Sequence, residues 1–91
     1  MAMTRIQMRR ARKALGVRLE TLGPLCRISP SAISRIETGV LRVGQGTMAR
    51  IERTLADIGR VRAAHQELPI EIMRNATWLR REIKKLKQAS G

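Results

Sequence analysis

The chain has 91 residues, with nineteen Lys and Arg against seven Asp and Glu, a formal charge of +12. That length holds one domain with a modest core, and so strong a field on so small a body selects polyanions, nucleic acid first and an anionic membrane surface second. With no Phe or Tyr, one Trp and one Cys, the chain lacks the means to stack unpaired bases, close an internal disulfide or build a zinc site, so duplex DNA is favoured and no metal or cofactor is expected.

Cations crowd the two flanks: Arg5, Arg9, Arg10, Arg12, Lys13 and Arg18 precede the first acid, Glu20, and Arg74, Arg80, Arg81, Lys84, Lys85 and Lys87 lie toward the other end. The amino terminus has no apolar run behind its charges and no stretch approaches membrane-spanning length. A soluble, cytoplasmic protein is expected.

From Thr4 to Leu15 strong helix formers dominate, and Ile6, Met8, Ala11 and Leu15 supply an apolar stripe before Gly16, which predicts the first helix. Leu19, Leu22, Leu25 and Cys26 then fall at helical spacing, with Cys26 as a small core residue. Gly23-Pro24 interrupts them, and because an interior proline costs about 3 kcal/mol the second helix is either kinked or short. Ser29-Pro30 is a helix start, the hydroxyl capping a free N–H. Ile33 and Ile36 face inward from there, so a third helix is predicted over Pro30 to Thr38, ended by Gly39.

Beyond a loop from Val40 to Gly46, Thr47 caps a predicted fourth helix whose Met48, Ile51, Leu55 and Ile58 share one face until Gly59. Residues 60–68 show no single period, and His65 reads as an isolated surface imidazole. From Pro69 onward Ile72, Ala76, Leu79, Ile83 and Leu86 recur at alternating steps of four and three, a two-heptad seam on a long terminal helix. This seam either buries itself against the fourth helix or meets its twofold mate, and those five residues are the expected homodimer interface. Trp78 lies off the seam. The fold class is all-α: a compact bundle of four to five helices over 4–59, then a linker and an amphipathic C-terminal helix over 60–88.

Arg12 with Gly16 four residues on, Leu22, Ile28-Ser29, the run Ile33-Ser34-Arg35-Ile36-Glu37 with Gly39, and Leu55 stand at a shared spacing. In this pattern the stretch from about Met8 to Gly59 resembles the Cro and repressor type helix-turn-helix family. The resemblance implies five short helices around one core, an ion pair between Arg12 and Glu37, and a third helix that enters the major groove of double-stranded DNA. In such an arrangement the second helix crosses the backbone and helix ends meet phosphates. Pro30, Ser31, Ser34 and Arg35 then face base edges, and of these Arg35 alone can pair bidentately with guanine; its plain alternative is a phosphate clamp or a solvated arginine. Arg12, Arg18, Ser29, Thr38, Arg42 and Gln45 are the expected phosphate contacts. The chain departs from the family pattern at Leu19, where a glutamine usually grips a phosphate, at Pro24 inside the second helix, and at Pro30, where a polar residue often reads a base.

Glu52, Asp57, Glu67 and Glu71 have no His, Ser or Cys partner in a recognisable constellation, and no phosphate loop or metal motif appears, so no catalytic residue is assigned and no enzyme is expected. The expected function is a sequence-specific transcriptional regulator, a repressor acting as a homodimer on a palindromic operator. A second reading is an antitoxin or accessory protein that binds a partner protein through its terminal helix and autoregulates its operon. For Arg80 to Lys87 the plain reading is a solvated face; the sharper ones are a further DNA-backbone contact or an anionic-lipid patch.

Overall fold

The computed structural model describes residues 3–90. The chain order is α1 (Arg5–Ala14), α2 (Leu19–Cys26), α3 (Pro30–Glu37), α4 (Gln45–Ala64), a 3-10 turn (Ile70–Arg74) and α5 (Ala76–Ser90), with no strand among the described residues. The all-α bundle expected from the sequence is what forms.

Thr4 starts α1 with a capping box: its hydroxyl accepts from the Gln7 N–H at 3.1 Å and the Gln7 side chain accepts from the Thr4 N–H at 2.9 Å. Of the expected stripe, Met8 is fully buried whereas Ile6 is exposed. The second helix takes the short form. Pro24 sits in the last turn of α2, and because Pro24 and Glu20 are both exposed, the Glu20 carbonyl that proline cannot bond faces solvent rather than the core.

Two boundaries differ from the sequence reading. α4 begins at Gln45, before Thr47, and continues through Gly59 to Ala64. Ile58 and Val61 are both fully buried, and burying that apolar face outweighs the roughly 1 kcal/mol by which glycine disfavours a helix. The segment from Pro69 is not one helix. Asn75 leaves the helical conformation, and its Oδ1 accepts from the Trp78 N–H at 3.0 Å, which opens α5 with a cap. Ile72 thus lies on the 3-10 turn while Leu79, Ile83 and Leu86 lie on α5.

α5 packs against both α2 and α4. Leu79 is 0% exposed, inside the same core as Met8, Leu22, Ile33, Ile51 and Ile58, and Ile72, Ile83 and Leu86 pack half-buried around it. The seam therefore faces the chain's own core. His65 is not isolated. Its Nε2 lies 2.9 Å from Glu82 Oε1, and its ring meets Trp78 edge-on at 5.5 Å between centroids, pinning α5 to the end of α4. Glu82 also pairs with Lys85 at 3.1 Å, and the hydrogen bonds from Lys85 and His65 hold its carboxyl below the usual range.

Several cations serve the fold rather than a ligand. Arg62 donates to the Ala14 carbonyl at the end of α1 (2.6 Å), Arg80 to the Pro24 carbonyl in the last turn of α2 (3.2 Å), and Arg5 to the Glu37 carbonyl at the end of α3 (3.1 Å). Each satisfies an orphan carbonyl and complements the negative end of a helix dipole.

Leu79→Ala is expected to lower stability by about 2–5 kcal/mol, the range for a fully enclosed leucine. Urea unfolding followed by circular dichroism should show a lower midpoint with the slope unchanged. An unchanged midpoint would mean that α5 does not belong to the cooperative fold.

Candidate nucleic-acid interface

The angle between α2 and α3 is set by a turn that closes tightly on itself. Arg27 adopts the left-handed conformation at φ 60°, so that its N–H and that of Ile28 both reach the Gly23 carbonyl. A Cβ at Gly23 would stand 2.7 Å from the Ile28 oxygen and 3.1 Å from the Pro30 ring. Only glycine lets α3 come so near. Ser29 then caps α3, its hydroxyl accepting from the Ala32 N–H at 3.2 Å. At the far end Gly39, at φ 80°, turns the chain away, and the N–H groups of Val40 and Leu41 both return to the Arg35 carbonyl.

α3 is held by its inner face. Ile33 and Ile36 are buried in the core, and Glu37 receives Arg12 in a two-pronged contact, Nε to Oε2 at 2.7 Å and Nη2 to Oε1 at 2.9 Å. The remaining terminal nitrogen of Arg12 donates to the Val17 carbonyl at 3.1 Å. The two side chains are only 11% and 4% exposed. The ion pair implied by the family resemblance is present, and it removes Arg12 from the expected phosphate contacts, because its guanidinium is turned into the body.

The remaining expected contacts divide by exposure. Ser31 and Arg35 are exposed on the outer face of α3 and Ser34 is half-buried between faces. Pro30 is half-buried with its ring against Gly23, where it packs the two helices together. Ser29 and Thr38 are exposed, but both hydroxyls already serve the backbone, that of Thr38 donating to the Ser34 carbonyl at 3.1 Å. Arg18, Arg42 and Gln45 are exposed.

Sequence reasoning missed two features. One is Arg5, which lies 32 residues from its acceptor at Glu37, with no motif to join them. The other is a contrast in capping. α1 and α3 begin under the side chains of Thr4 and Ser29, whereas α2 and α4 follow Arg18 and Gly44, neither of which gives a side-chain cap. The first N–H groups of α2 and α4 are thus left to solvent or to an anion, with Arg18 at one end and Arg42 just before the other. Non-capping residues at both starts were the available signal.

Among the described residues no group of three His, Cys, Asp or Glu side chains could hold a metal ion, and no helix is long and apolar enough to cross a membrane. Cys26 is buried, as the sequence suggested, and desolvation pushes its thiol pKa up.

Arg12→Ala leaves the Glu37 carboxylate enclosed without its partner and is expected to cost about 3–5 kcal/mol. Replacing both residues, Arg12→Met with Glu37→Leu, should recover most of that loss. Thermal unfolding distinguishes this from a surface pair, for which the single substitution would cost no more than about 1 kcal/mol.

A family model described as helix-turn-helix matches residues 8–57, more than half of the chain. No curated protein and no solved structure matches. The matched span takes in α1 from Met8 onward, the α2–turn–α3 unit, the lock between Arg12 and Glu37 and the first part of α4, and on that ground the chain belongs to the Cro/repressor-type helix-turn-helix family of DNA-binding transcription regulators.

Proposed function

We propose that the chain is a repressor that lays α3 in the major groove of a pseudo-palindromic operator, two copies occupying successive grooves about 34 Å apart, and that it acts by blocking access of the polymerase. The observation that carries the reading is the pair of uncapped helix starts, at Arg18 and at Gly44, on either side of α3 in the chain. Free N–H groups backed by Arg18, Arg42 and Gln45 suit phosphates, while Ser31 and Arg35 are left for base edges. Ser34, Ser29 and Thr38 serve as lesser contacts at the edge of that face. With so few side chains able to read bases directly, the shape of the DNA supplies part of the specificity.

Leu79 is enclosed by its own chain and Ile72 sits on a different element. The two copies therefore pair on the operator rather than through a coiled coil along Ile72, Ala76, Leu79, Ile83 and Leu86. Sedimentation should give a single chain in free solution and two chains per operator duplex. A stable dimer without DNA would contradict this mode of pairing.

Binding-site selection tests the division of labour. Arg35→Ala should relax preference at one base pair per half-site at a loss of about 1–3 kcal/mol, whereas Arg42→Ala should weaken all sequences alike. The reverse pattern would sink the assignment. With about four phosphates neutralised per subunit, affinity for the operator should fall with salt at a log-log slope of roughly −7.

A second reading, an antitoxin or accessory protein that also regulates its own operon, keeps this DNA contact and adds a protein partner on α5. The half-exposed Ile83 and Leu86 favour it, and co-purification with the product of a neighbouring gene separates the two.

A further inference from the structure

An open groove runs between the C-terminal end of α2, the middle of α4 and the second half of α5. Its floor is apolar, formed by Leu25, Ile83 and Leu86, all half-buried. Its rim is cationic. Arg27, Arg50, Arg53 and Lys84 line it, all exposed, and their side chains make no hydrogen bond or ion pair with another described residue. The one carboxylate in the lining, Asp57, is already shared by Arg60 and Lys87.

None of these four ties one helix to another, in contrast to Arg5, Arg62 and Arg80 at the helix ends. Arg27 stands in a left-handed conformation at φ 60°, which glycine would adopt without strain. We propose that the groove docks an acidic amphipathic helix of a partner protein, its apolar ridge on Leu25, Ile83 and Leu86 and its carboxylates against the rim. The inference deepens the protein-partner reading and does not depend on the operator contact.

Other occupants satisfy only half of the site. A phosphate backbone would neutralise the rim but leave the apolar floor uncovered, and a second copy of this chain would bring a further +12. The apolar floor lies at the opposite end of α2 from Arg18, about 12 Å along the helix axis.

The test uses the full chain and a fluorescent synthetic peptide of about five helical turns, with leucines on one face and glutamates elsewhere, followed by anisotropy. A scrambled peptide of the same composition and a short DNA duplex serve as the other probes. The patterned peptide is expected to bind about tenfold or more tightly than the scrambled one, because only it covers the floor. Arg53→Glu with Lys84→Glu should weaken the peptide by about tenfold or more while duplex affinity changes far less. Arg27→Gly should weaken the peptide while keeping or raising the melting temperature, because it relieves the left-handed backbone. Equal binding of both peptides, no binding, or an equal loss of DNA affinity in the variants would overturn the proposal, the last by making the groove a phosphate surface. A solution dimer that the double variant splits would assign the groove to a second copy instead.

Discussion

The position of α3 rests on the two-pronged contact between Arg12 and Glu37. Both groups are almost wholly removed from water, so neither tolerates loss of the other, and the fork allows one relative orientation of α1 and α3. Arg5 adds a second hold on the same residue through its carbonyl. The inner face of α3 is fixed by these contacts and by Ile33 and Ile36, and its outer face is thereby rigidly presented. A helix of eight residues is too short to be stable alone. Its shape and orientation are properties of the body that holds it.

The chain's excess of positive charge divides by position. Arg5, Arg12, Arg62 and Arg80 are structural, each ending on a carbonyl or carboxylate of another helix. Arg18, Arg35 and Arg42 are exposed where α2 starts, on α3 and in the loop that follows it, the places where a duplex meets a helix-turn-helix. Of the others, Arg27 at the end of α2, Arg50 and Arg53 on α4 and Lys84 on α5 gather around an apolar floor, while Arg9, Arg10 and Lys13 lie on α1. Net charge announces polyanions, but only the fold tells which cations remain available to one.

The sequence was most legible where the signal is local. The cap at Ser29, the inward Ile33 and Ile36 and the exit at Gly39 gave α3 nearly to the residue, and the spacing from Arg12 to Leu55 gave the family and the ion pair. It was least legible where distant packing decides. By propensity alone Gly59 is a stop, yet buried Val61 carries α4 past it. The even step from Ile72 to Leu86 looked like one seam, yet Asn75 breaks it, and Leu79 turns into the core because α2 and α4 offer apolar surface there. By sequence Arg12 fits both a phosphate contact and the partner of Glu37, and in the fold its guanidinium is turned to the second.

The most direct test of a groove-reading α3 on a locked body is amide chemical-shift mapping of the chain during titration with a selected duplex. The shifts should concentrate at Ser29 to Ala32 and Arg35, at Arg18 and Leu19, and over 42–46, leaving the second half of α5 unmoved. Shifts centred on α5, with the first turn of α3 silent, would contradict the account.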